Sequence, residues 1–105
     1  IIALVGFFRN YRRETFENES DASFKFFYVD WCPHCKTAKP EFESCANTSV
    51  NFETINCESP ENAELIKGYD IEGYPTIILE KDGVKIPYEG DRSTTAMESF
   101  LNDQL

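Results

Sequence analysis

Phe24-Lys25-Phe26-Phe27-Tyr28-Val29-Asp30-Trp31-Cys32-Pro33-His34-Cys35-Lys36 decides how this chain is read. A dense apolar run ends at Asp30, and two cysteines separated by two residues follow at once. The run reads as a central strand, Phe24 to Asp30, apolar on both faces because helices cover both sides of its sheet. The cysteines then fall at the start of a helix, where backbone N–H groups point outward and favour a thiolate. Two intervening residues place the second thiol one helical turn on, a separation that a disulfide closes. By itself the pattern reads as a redox pair or as half of a zinc site.

Working outward, the helix is predicted from Pro33 to about Ala46, with Pro33 tolerated in its first turn and Pro40 bending its middle. Asn47-Thr48-Ser49 closes it, and Val50 to Asn56 reads as a second strand. Ser59-Pro60 starts a second helix, capped by Ser59 and ended by Gly68. Pro75–Lys81 and Val84–Glu89 form a hairpin around Asp82-Gly83, with Pro87 making the later strand an edge. A last helix starts near Ser93 and buries Met97, Phe100 and Leu101. This β-α-β-α-β-β-α order calls for an α/β fold, a mixed central sheet with helices on both faces.

Residues 24–105 make up that domain, and residues 1–23 stand apart from it. Ile1 to Phe8 is apolar but far shorter than the roughly 20 residues of a membrane span. With Arg9, Arg12 and Arg13 following, it reads either as the end of a membrane anchor lying upstream or as a first strand leading into a helix around Arg12–Asn18. At 105 residues and 41% hydrophobic content the chain supports one core. A formal charge of −9 excludes nucleic acid as a partner, because counterion displacement needs clustered Lys and Arg. Four cysteines are too few for a disulfide scaffold.

The element order, with its motif at the first strand-to-helix junction, resembles the thioredoxin superfamily from Phe24 to Leu105. Trp31 before the first cysteine, Pro40 after the second, and Gly73-Tyr74-Pro75-Thr76 as a cis-proline loop carry the likeness. Tyr88-Glu89-Gly90-Asp91-Arg92-Ser93 is similar to the strand end of protein disulfide isomerase catalytic domains. The Pro33-His34 dipeptide is the one found in the periplasmic disulfide oxidase of bacteria, and the flanks also resemble short thioredoxin-like proteins of large DNA viruses.

The resemblance implies roles for particular residues. Cys32 is the nucleophile, partly exposed, and Cys35 is the buried resolving thiol. His34, the one histidine, tunes the Cys32 thiolate, and stabilising that thiolate makes the disulfide a stronger oxidant. Pro75, if cis, holds the loop against the pair, so that the Tyr74 backbone pairs with an extended substrate. Trp31, Pro33 and Tyr74 line the substrate side, although core packing accounts equally for Tyr74. Arg92 is either a cation favouring the Cys35 thiolate or an ordinary loop residue. One departure is plain: six residues before Cys32, where the family buries an acid as proton acceptor, this chain has Phe26. Thr54 and Ile55 stand where the acid's lysine partner is expected, and Asp30 is too near solvent to substitute.

Cys45 lies ten residues beyond Cys35, about 15 Å along a helix, at the far end of the domain. Cys57 closes a parallel strand at the motif end, so the two are too far apart to bridge. Neither a metal nor a cofactor is expected. The function implied is a thiol–disulfide oxidoreductase acting on protein dithiols and disulfides, biased towards oxidation or isomerisation and served by a redox partner protein. The rivals are a thioredoxin-like reductase, a metal module on Cys32, Cys35, Cys45 and Cys57, and a non-catalytic binding module. A monomer is expected, either lumenal or secretory or held at a membrane, with a viral source among the readings.

Overall fold

Alternation along the first strand decides which residues are covered by what. The structure, a computed structural model, describes residues 22–105. The expectations for Ile1–Phe8 and for a helix at Arg12–Asn18 lie outside these residues. Strand β1, Ala22–Tyr28, places Phe24 and Phe26 on one face and Lys25 and Phe27 on the other. Helix α1, Pro33–Glu43, follows it, then β2, Asn51–Asn56. A 3-10 turn at Pro60–Asn62 leads into a one-turn helix α2, Ala63–Ile66. The hairpin β3, Thr76–Lys81, and β4, Val84–Tyr88, precedes helix α3, Thr94–Gln104.

The sheet runs β2-β1-β3-β4. β1 pairs parallel with β2, Phe27 opposite Ile55, and antiparallel with β3, Phe26 opposite Ile77. β4 is the edge, where the missing N–H of Pro87 disturbs no inner ladder. Asp82 and Gly83 turn the hairpin with φ of 54° and 79°, the left-handed pair that a two-residue hairpin requires.

Helices cover both faces. Phe24, Phe26, Ile77 and Leu79 pack with Ala38 and Phe42 of α1 and Met97 and Leu101 of α3. Phe27, Ile55 and Ile78 pack with Ile66 at the end of α2 and with Tyr69 and Ile71 beyond it. On that second face Lys25 is paired with Glu53 at 3.5 Å and Glu80 at 3.8 Å. Sheet alternation turns this ion pair away from α1, so it does not replace the acid missing at Phe26.

Two helices are shorter than the sequence predicts. α1 stops at Glu43 rather than Ala46, because the Ser44 N–H takes up the Pro40 and Glu41 carbonyls and the Cys45 N–H that of Phe42. The helix expected from Ser59 to Gly68 is only the 3-10 turn and α2. The Ser59 side chain caps nothing, and Lys67, Gly68 and Tyr69 each bond three residues back, which tightens the segment out of α-geometry. Ser93 does cap α3, its hydroxyl accepting from the Ala96 N–H at 3.2 Å.

Candidate active site

The C-terminal end of β1 delivers Cys32 to the N-cap of α1. The Cys32 N–H bonds the Val29 carbonyl at 3.3 Å, and its own carbonyl accepts from Lys36 at 3.1 Å, so the first turn is closed around it. The Cys35 N–H donates to the Cys32 sulfur at 3.2 Å. That contact offers a negative sulfur a backbone donor and the positive end of α1. From the other side the Cys32 thiol donates to the Tyr74 carbonyl at 3.6 Å. The Tyr74–Pro75 peptide bond is cis.

Cys32 is not the partly exposed thiol that the sequence suggested. It is 4% exposed, because the Tyr74 loop lies against it. Cys35 is 1% exposed, packed with Val29 and Cys32. Burial, first, and the adjacent Cys32 sulfur push the Cys35 thiol up to about 11, while the charge of Arg92 pulls it down. Arg92 is thus near enough for its charge to reach the resolving thiol.

The aromatics sit around this pair. Trp31 is 64% exposed, meets Tyr74 edge-on at 6.2 Å, and donates its indole N–H to Glu58 at 2.6 Å. His34 and Pro33 are exposed on the first turn of α1. Tyr74 is half-buried and packs, as Cys57 does, against the Val29, Cys32 and Cys35 cluster, so its side chain sits by the end of β2. The contact of Glu58 with Trp31 and the place of Cys57 beside Tyr74 escaped the sequence reading. The available signal was the parallel pairing of β1 with β2, which brings the Cys57 N–H to the Tyr28 carbonyl at 2.8 Å.

Cys45 and Cys57 occupy separate places. Cys45 belongs to the core with Phe24 and Phe42, whereas Cys57 packs against the Val29, Cys32 and Cys35 cluster. All four thiols are free, and among the described residues no three metal-ligating side chains converge. Burial also pushes Cys45 up to about 11.

The two buried thiols make stability depend on alkaline pH. Unfolded, each releases its proton near the ordinary 9.0; folded, Cys35 and Cys45 hold theirs to about 11. Above pH 9 the unfolded chain binds fewer protons, so rising pH favours it. The expected urea midpoint is level between about pH 7 and pH 9 and falls towards pH 11, with a shallower fall in Cys45→Ala. Equal slopes in the two proteins would contradict this.

A dithiol at a helix N-terminus, faced by a cis-proline loop on a mixed sheet, defines the class. The chain belongs to the thioredoxin family, whose model, Thioredoxin, matches residues 9–103. It is 35% identical over 86 residues to a thioredoxin domain-containing protein 5 homolog of Drosophila melanogaster, covering 75% of this chain and 21% of the relative. It is 33% identical over 97 residues to protein disulfide-isomerase 1 of Dictyostelium discoideum, covering 86% and 27%. The fold matches the crystal structure of human ERp44 with a TM-score of 0.71 at 27% identity, over 81% of this chain and 28% of that one. The chain thus spans about a quarter of the length of these curated relatives. Among the described residues no helix is long and apolar enough to cross a membrane.

Proposed function

We propose that the chain is a thiol–disulfide oxidoreductase of the protein disulfide isomerase kind, with Cys32 and Cys35 as the exchanging pair and a bias towards oxidising or isomerising its substrates. The observation that carries this is the 3.2 Å contact between the Cys35 N–H and the Cys32 sulfur at the start of α1. In the oxidised form a substrate thiolate attacks the Cys32 sulfur, the Cys32–Cys35 bond breaks, and Cys35 leaves as a thiolate. A second substrate thiolate then attacks the substrate sulfur of the mixed disulfide and expels Cys32. Two electrons pass from the substrate to the pair, and a separate redox protein must remove them.

Tyr74 and Pro75 lie where an extended substrate strand passes Cys32, and Trp31 borders them. Arg92 serves the Cys35 thiolate; His34, on the exposed first turn, adds to the field at Cys32. One copy holds every reacting group, so a monomer suffices. The reaction calls for a lumenal or secretory compartment, or for a membrane-anchored enzyme with its own oxidant, since cytosol keeps thiols reduced.

The bias follows from stabilising the Cys32 thiolate at the start of α1, which stabilises the reduced pair. Phe26 adds a kinetic handicap to reduction, since among the described residues no buried acid stands beside Cys35 to accept its proton. The expected reduction potential of the pair, measured against glutathione, lies above thioredoxin's value of about −270 mV. In His34→Ala it falls towards that value. A potential at or below it in the unaltered protein would favour the reductase reading instead.

A further inference from the structure

A groove of about 430 Å³ runs along the cis-proline loop, with Tyr74, Pro75, Asp70, Glu72, Glu89 and Arg92 among its walls. Tyr74 joins it to the reacting sulfur, since the carbonyl of that residue accepts from Cys32. Arg92 is shared with a second hollow of about 310 Å³, which His34, Glu41 and Asp91 border. Across the two hollows, five acidic residues and one arginine are among the lining residues. Glu41 is held below the usual carboxylate range by bonds from Thr94, so it stays charged well into acid. Asp70, Glu72 and Glu89 are exposed, and the ion pairs among the described residues lie elsewhere, on Lys25 and Lys67.

We propose that this face selects protein cysteines flanked by lysine or arginine, with Asp70, Glu72 and Glu89 as the specificity-determining residues. The proposal rests on the thiol–disulfide reading and adds the substrate class. An extended peptide rises about 3.3 Å per residue, so a side chain two positions from the substrate cysteine lies about 7 Å along from the sulfur. Charges nearer to each other than the Debye length of about 8 Å at physiological salt are only partly screened, so a carboxylate lining the groove beside that position attracts a cation there, and more strongly at low salt. Glu72 stands two residues before Tyr74, on the same loop that lies against Cys32. A lysine or arginine there gains attraction from all three carboxylates, and an aspartate or glutamate meets repulsion. Arg92 does not cancel this preference, since its one charge faces three carboxylates in the same groove.

The test uses the reduced full chain and three otherwise identical peptides, whose single cysteine carries a 2-pyridyl disulfide and is flanked by lysine, alanine or glutamate. The Cys32 thiolate attacks the peptide sulfur, the peptide–pyridyl S–S bond breaks, and the released 2-thiopyridone takes up the proton and is read by absorbance. At about 20 mM salt the lysine peptide is expected to react about tenfold faster than the glutamate peptide, with alanine between, and the ratio to collapse at about 1 M salt. The variant Asp70→Asn, Glu72→Gln, Glu89→Gln is expected to bring the low-salt ratio close to one, which separates these residues from the overall charge of −9. Equal rates for the three peptides at low salt, or a ratio untouched by the variant, overturn the proposal and leave the redox reading standing. No reaction with any peptide overturns the redox reading and this proposal together.

Discussion

Release of a covalently trapped partner by Cys35 is expected to speed up about tenfold for each pH unit between 7 and 9, because only the thiolate attacks and a thiol with a pKa above 9 is less than about 1% ionised at pH 7. The free dithiol has Cys35 pushed up to about 11, by burial first and by the Cys32 sulfur second. In the mixed disulfide Cys32 is bonded and uncharged, so its contribution vanishes while that of burial stays. Burial, the largest cause, therefore continues to hold the thiol up through the step, against the Val29 backbone bond and the charge of Arg92. Arg92 acts in the opposite sense, and Arg92→Gln slows release at every pH below the new pKa. Quenched-flow separation of the mixed disulfide from the closed Cys32–Cys35 product gives the rate directly. Cys35→Ser supplies the zero, since it stalls as the adduct, and Cys32→Ser forms no adduct at all. A flat profile from pH 7 to pH 9 would mean that another group deprotonates Cys35.

The absence of such a group is a matter of one residue. Phe26 fills the site of the family's buried acid, and the ionic cluster carried by β1 among the described residues, Lys25 with Glu53 and Glu80, is on the opposite face of the sheet. Alternation along β1 separates them by one position and by the whole thickness of the sheet. The chain has thus kept charge in the strand but turned it away from the reacting thiols.

How much of this could be read beforehand differs from residue to residue. The placement of Cys32 and Cys35 was legible because it depends on local spacing and on a strand followed by a helix. So were the Asp82-Gly83 turn, the start of the last helix near Ser93 and the edge position of β4, each set by the chemistry of one or two residues. That the Tyr74–Pro75 loop lies against the pair was implied by the family resemblance; how far it buries Cys32 was not legible, because Tyr74 arrives from 42 residues away and only the assembled sheet brings its carbonyl to the sulfur. The same holds for Glu58 on Trp31 and for Cys57 packing beside Tyr74, which depend on the parallel register of β1 and β2. The helix after Ser59 was overread because proline and serine mark where a helix can start, whereas its length is set by what it packs against.

Phe26 is also where stability concentrates. Its ring is fully buried, 5.1 Å from Phe42 and 6.1 Å from Tyr28, and Phe42 in turn stacks on Phe24 at 5.4 Å. Phe26→Ala removes the centre of this aromatic row and leaves a cavity bounded by α1, at an expected loss of about 3–5 kcal/mol. Against a total of about 5–15 kcal/mol, that is enough to bring a small domain near unfolding at body temperature. Phe26→Leu keeps most of the volume and should lose markedly less. Phe26→Glu separates packing from charge. The introduced carboxyl enters apolar surroundings without a partner, so the folded state raises its pKa and favours the protonated form. Above about pH 4.3 the folded variant then binds more protons than its unfolded chain, and stability falls as pH rises through that window. Urea unfolding is therefore expected to find Phe26→Glu least stable at neutral pH and partly recovered at about pH 5, with Phe26→Ala lacking that recovery. A glutamate variant as stable at pH 7 as the phenylalanine protein would show that the site accepts an acid, and that the missing proton acceptor is not excluded by packing.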